Sequence, residues 1–141
     1  MRNINSIYSI TIFRPICLPE KGATYPYNSL GTVKGWGATL TKTCSSQGIC
    51  KVDRNSFSDI LIKLDDVELI SQQKCFQSYN KHYSIKKGSV CGLSKSGDSC
   101  NGDSGSGLVF TNPSTGKYEL VGIVSYGAGC NSTLNGNSQG C

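Results

Sequence analysis

The sequence predicts an all-β protein of short antiparallel strands, in the sandwich-or-barrel class. Three observations carry that expectation. Seventeen glycines among 141 residues, with many Ser, Thr and Asn, punctuate the chain with turns. The apolar runs between them are short and rich in β-branched residues, which is a strand signal. Eight cysteines, at 17, 44, 50, 75, 91, 100, 130 and 141, offer cross-links to a core that a chain of this length keeps small. Hydrophobic residues make up 37% and charged residues 16%, a balance that argues against disorder.

Taken in order, Ile4 to Phe13 alternates loosely and reads as a strand. Arg14-Pro15 and Leu18-Pro19 mark an extended, irregular stretch. Gly31 to Thr39 is glycine-punctuated and predicts a strand with a sharp bend. Residues 41 to 56 are polar and read as an exposed loop, pinched by Cys44 and Cys50. Ile60 to Ile70 reads as a strand broken at Asp65-Asp66. Ser71 to Tyr79 predicts a short helix with Ser71 as its N-cap. Ser89 to Leu93 and Leu108 to Phe110 are short strands, and Tyr118 to Tyr126 forms a hairpin with the latter across Asn112 to Gly116. Residues 1–130 read as one unit, and the Asn/Ser/Gly-rich residues 131–141 as a loose tail.

The formal net charge is +5, but the basic residues are scattered and the densest run is Lys86-Lys87. No aromatic residues interleave with a basic stripe, so a nucleic-acid partner is not expected. There is no Cys-x-x-Cys pair and His82 is the only histidine, so neither a metal site nor a cofactor is expected. A disulfide framework and an oxidising compartment fit better. The Asn131-Ser132-Thr133 sequon agrees with secretion, whereas Asn112 is followed by proline. Met1 to Phe13 lacks the continuous apolar core of a signal peptide, and no stretch is long enough to span a membrane. A missing N-terminal portion reconciles cysteines that indicate secretion with a start that does not.

The chemistry-bearing stretch is Gly97-Asp98-Ser99-Cys100-Asn101-Gly102-Asp103-Ser104-Gly105-Ser106-Gly107-Leu108. It displays one hydroxyl, Ser104, between glycines that let backbone N–H groups approach a ligand. Backbone N–H groups near a serine oxygen are what an oxyanion hole requires. On spacing alone, the same residues also fit an ordinary glycine-rich turn with a solvated serine.

Gly102-Asp103-Ser104-Gly105 preceded by Cys100 resembles the nucleophile motif of the chymotrypsin/trypsin family of serine proteases. Four further segments agree in order. Arg14 to Pro19 is similar to the crossover between that family's two barrels, and Val33 to Gly37 to its Gly-Trp-Gly strand. Cys75 and Cys91 fall where the family brackets a short helix, and Val121 to Cys130 resembles its substrate-binding strand. The resemblance spans roughly residues 13 to 130 and implies the C-terminal six-stranded antiparallel barrel of a two-barrel fold. The N-terminal barrel and the final strand and helix are expected to be missing. The triad logic of this family is a well-established template. Carried over, it makes Ser104 the nucleophile and the N–H groups of Gly102 and Ser104 the oxyanion hole. It makes Asp103 the carboxylate that pairs with a new amino terminus on activation. Asp98 becomes the acid of a pocket that takes Arg or Lys side chains. Ser125, Tyr126 and Gly127 would pair with the substrate backbone, and Gly127 and Gly129 would keep the pocket mouth open.

The resemblance also implies Cys75–Cys91 and Cys100–Cys130 disulfides, while Cys44–Cys50 is expected from proximity. Many relatives carry a further disulfide at the positions of Gly31 and Phe110, and here both cysteines are absent together. Cys17 resembles the cysteine that ties such a domain to an upstream segment, and Cys141 has no counterpart; a Cys17–Cys141 bond is the alternative. The chain departs from the usual Asp-Ser-Gly-Gly-Pro, having Asp103-Ser104-Gly105-Ser106-Gly107, a variant similar to some arthropod modular and clotting-cascade proteases. The catalytic histidine and aspartate precede the serine in this family, and this chain begins after the place where they would lie. His82 falls outside any catalytic motif. The expectation is therefore a secreted serine endopeptidase acting on protein or peptide substrates, present as a fragment inactive alone. The alternative is a non-catalytic protease-like binding module.

Overall fold

The computed structural model of the chain describes residues 14–26, 29–47, 50–79, 85–86, 88–127, 130, 133–134 and 137–140. The strand expected over Ile4 to Phe13 lies outside them, as do His82, Gly129 and Cys141. The described chain is mostly β, as the turn-rich sequence predicts, and it is consistent with a fragment of the expected barrel. In chain order the strands are β1 (Leu30–Gly35), β2 (Ala38–Cys44), β3 (Cys50–Phe57), β4 (Ile62–Ile70), β5 (Cys91–Ser94), β6 (Gly107–Thr111), β7 (Tyr118–Ile123), β8 (Thr133–Leu134) and β9 (Asn137–Gly140). The helix α1 (Gln72–Tyr79) lies between β4 and β5.

Seven strands form one sheet in the order β7-β6-β1-β4-β5-β9-β8, and β2 with β3 forms a separate two-stranded ribbon. All the ladders are antiparallel. Strand alternation turns one face inward: Val33 of β1, Val67 of β4, and Leu108 and Phe110 of β6 are buried together, with Tyr25, Leu64 and Val124 packed against them. A second cluster of Ile70, Cys75, Cys91 and Leu93 surrounds the Cys75–Cys91 disulfide and fixes α1 to the sheet. Phe110 is 1% exposed, and its ring fills the space above Gly31. A Cβ at Gly31 would fall 2.8 Å or less from three of its ring atoms. The two positions from which a disulfide is absent are thus complementary: a glycine on one strand admits a phenylalanine on the next.

Several elements differ from the sequence expectation. Residues 41 to 56, expected as a loop, belong largely to the β2–β3 ribbon, whose register places Cys44 opposite Cys50. A polar stretch can form such a ribbon because ladder hydrogen bonds do not require an apolar face. Asp65 and Asp66 do not interrupt β4, because each has partners. Asp65 pairs with Lys63 at 2.5 Å and accepts from Thr32 Oγ1 at 2.9 Å. Asp66 is bonded by the last residue of β5 and by the loop that follows it. In the tail, expected as loose chain, the described residues form β8 and β9. β5 presents a ladder edge that the tail occupies, with Gly92 opposite Gly140 and Ser94 opposite Ser138. The helix conforms, with Lys74 N–H donating to Ser71 Oγ at 3.2 Å.

The crossover segment is anchored from below. Cys17 bridges Glu119 in parallel register, and Leu120 N–H donates to Cys17 O at 2.9 Å. The buried Glu119 carboxylate accepts from Tyr25 Oη and from Asn112 Nδ2. Burial, followed by this bond to Glu119, pushes the Tyr25 phenol up to about 12.

Candidate active site

Two consecutive turns build the segment around Ser104. Asp103 N–H donates to Cys100 O and Ser106 N–H donates to Asp103 O, both at 3.0 Å. Gly102 and Gly105 take the third position of these turns with φ of 96° and 88°, a conformation that favours glycine. The outcome is an exposed Ser104 at the crest, with Asp103 turned inward and buried. Among the described residues, the N–H groups of Gly102 and Ser104 donate to no acceptor of the chain.

The crest is tied down from several directions. Cys100 is cross-linked to Cys130, with Cα atoms 5.0 Å apart. Gly105 N–H donates to Val124 O and Val124 N–H to Ser106 O, both at 2.9 Å, which joins the crest to the strand leading to Ser125. Ala38 N–H donates to Asn101 O at 2.7 Å, joining it to the start of β2.

Asp103 is the internal anchor. Its Oδ1 accepts from Gly37 N–H at 2.8 Å and its Oδ2 from Cys100 N–H at 2.9 Å. A carboxylate buried at 9% exposure needs such donors, because an unpaired one is costly to desolvate. The seat is made of glycines: a Cβ at either Gly35 or Gly37 would overlap the Asp103 carboxylate. The Gly-Trp-Gly pattern therefore has a local physical cause, and sequence reasoning did not extract it. No local pattern signals it, because the carboxylate that these glycines seat lies 66 residues further along the chain.

Asp98 and Ser99 stand between two cavities. One, of about 40 Å³, is walled by Val33, Leu64, Val67 and Leu108. The other, of about 220 Å³, is walled by Gly35, Gly37, Asp103 and Cys130. Asp98 is half-buried, Ser125 is exposed, and Tyr126 and Gly127 are half-buried in the segment after β7. The structure thus gathers Asp98, Gly102, Asp103, Ser104 and Ser125 at one end of the sheet. Cys75–Cys91 and Cys100–Cys130 are both formed, while Cys17 is exposed and has no disulfide partner among the described residues. No cluster of metal-ligating side chains occurs among the described residues.

Sequence comparison identifies the family. The trypsin family model matches residues 9–137. The chain is 30% identical over 129 residues to the clotting factor G beta subunit of Tachypleus tridentatus, an alignment covering 83% of this chain and 37% of that protein. The chain therefore belongs to the trypsin family of serine proteases. It spans about a third of the length of that relative. The disulfides are consistent with an extracellular protein. No helix among the described residues is long and apolar enough to cross a membrane.

Proposed function

We propose that this chain is the C-terminal, nucleophile-bearing part of a secreted serine endopeptidase that cleaves after Arg or Lys through an acyl-enzyme. The observation that carries the reading is the crest itself. An exposed Ser104 is held between two glycines by a buried Asp103, and among the described residues the N–H groups of Gly102 and Ser104 donate to no acceptor. Ser104 Oγ attacks the scissile carbonyl, and the oxyanion is received by those two N–H groups. A base must take the serine proton, and no histidine stands among the described residues to do so. The histidine and aspartate come from the upstream half, so the chain alone is inactive.

Asp98 gives the pocket its preference for a cationic side chain, since a carboxylate in a half-enclosed wall forms charge-assisted bonds with guanidinium or ammonium. Ser125, Tyr126 and Gly127 present an edge to the substrate backbone. Cys44 and Cys50 are opposed in the β2–β3 register, and the disulfide expected between them lies outside the described side chains. Cys17 ties the chain to its upstream half. It is exposed beside a groove of about 950 Å³ that Ile16, Lys34, Lys63 and Tyr118 also line, a surface with apolar area left to cover.

The test is hydrolysis of Arg and Lys peptide amides by the whole protein, upstream half included. Activity is expected, with S104A lowering kcat by at least about a thousandfold. Asp98→Asn is expected to shift preference away from cationic residues. Undiminished turnover in S104A contradicts the proposal, and a whole protein that binds such peptides without cutting them favours the binding-module reading.

A further inference from the structure

Outside the crest, the most heavily bonded carboxylate among the described residues is Asp66 of β4. Its Oδ1 accepts from Ser94 Oγ at 2.5 Å and from Ser96 Oγ at 2.6 Å. Its Oδ2 accepts from the N–H groups of Lys95 and Ser96 at 3.1 and 3.0 Å. Ser94, buried at the end of β5, uses its hydroxyl oxygen again to accept from Ser96 N–H and Gly97 N–H, at 3.1 and 3.3 Å. One side chain thus gathers the turn at Ser94 to Gly97 into a fixed shape. Asp98 follows this turn directly, and two residues later Cys100 is fixed by Cys130 and by Asp103. Asp98 is therefore suspended between two anchors, Asp66 on one side and the Cys100 attachments on the other. The bonds reach across 28 to 30 residues of sequence, so they bring β4 to the wall of the cavity rather than merely closing a turn.

We propose that Asp66 is a positioning residue for the pocket: its carboxylate fixes Ser94–Gly97 and so sets where Asp98 enters the cavity wall. This rests on the reading of Asp98 as the acid of a cation-binding pocket, and extends it to a residue outside that pocket. The chemistry is specific to a carboxylate. Two oxygens accept four bonds, whereas an asparagine has one accepting oxygen and an alanine none. Removing the acceptors leaves two hydroxyls and two N–H groups to find water, and the turn loses the partners that define it.

The test compares Asp66→Asn and Asp66→Ala with wild type by two measurements, both made on the whole protein. The first is amide hydrogen exchange. The turn amides at Lys95 and Ser96 are expected to exchange about tenfold faster or more in Asp66→Ala and by an intermediate factor in Asp66→Asn, while those of Leu108 and Val109 keep their wild-type rates. The second is affinity for benzamidinium, a small aromatic cation. It is expected to weaken about tenfold in Asp66→Ala and less in Asp66→Asn, with Asp98→Asn abolishing it. Unchanged exchange at Lys95 and Ser96 in both variants overturns the anchoring role. Faster exchange with undiminished benzamidinium affinity overturns the positioning role. If benzamidinium binds Asp98→Asn as well as it binds wild type, the pocket reading fails, and exchange alone then decides whether Asp66 anchors the turn. Should Asp66→Ala fail to fold, the near-isosteric Asp66→Asn carries both measurements.

Discussion

At the scale of single residues, the site rests on what two glycines leave out. Asp103 can lie inward because Gly35 and Gly37 have no side chain in its way and Gly37 offers its N–H. Gly37→Ala would set a methyl group against a buried, hydrogen-bonded carboxylate. It is expected to cost about 1–3 kcal/mol, as overpacking generally does, measured by urea denaturation. It should also disturb the Cys100–Ser106 turns before the distant core. Gly31→Ala is expected to be similarly costly, since the added Cβ meets the buried Phe110 ring. Unchanged stability in either variant would contradict the packing described. The candidates Ser104 and Asp98 stand out in the sequence because short motifs carry them. The seat of Asp103 does not, because it depends on a contact 66 residues away that no local pattern encodes.

At the scale of elements, the sequence reading succeeded where apolar periodicity or a cap was local and failed where polar residues were satisfied at long range. The helix α1 was legible from Ser71, and the β6–β7 hairpin from the Asn112–Gly116 turn. The β2–β3 ribbon was not, because its sequence is polar and strand pairing is decided by register rather than composition. The break expected at Asp65-Asp66 failed for the same reason: Lys63, Thr32 and the Ser94–Ser96 turn satisfy both acids. The Asp66 bonds have a pH consequence. The hydroxyls of Ser94 and Ser96, followed by the N–H groups of Lys95 and Ser96, hold its carboxyl at about 2, below its ordinary 3.8. A depressed folded-state value favours the folded chain above pH 3.8, and this contribution is lost as pH falls toward 2. The melting temperature of Asp66→Asn is therefore expected to lie below that of wild type at neutral pH, with the gap narrowing between about pH 4 and pH 2. A gap that stays constant across that window would contradict the assignment.

At the scale of the whole molecule, two small cores and two disulfides among the described residues hold the seven-stranded sheet together. Cys75–Cys91 closes a 16-residue separation and Cys100–Cys130 a 30-residue one, and chain-entropy arguments give about 3–4 kcal/mol for each. Reduction is therefore expected to lower the denaturation midpoint markedly, and equal midpoints before and after reduction would contradict that weight. The overall class was legible early, because turn density and cysteine load pointed to a small cross-linked β protein and five ordered motifs resembled one family. The role of the tail was not, since β9 is placed by the open ladder of β5 rather than by apolar residues of its own. The central claim is that Ser104 is a nucleophile awaiting a base from the upstream half. Its most direct test is labelling with a fluorophosphonate, followed by mass-spectrometric mapping, on the 141-residue chain alone and on the whole activated protein. The account predicts stoichiometric modification of Ser104 in the whole protein and none in the chain alone. A whole protein that leaves Ser104 unmodified, or that is labelled on another serine, would contradict it.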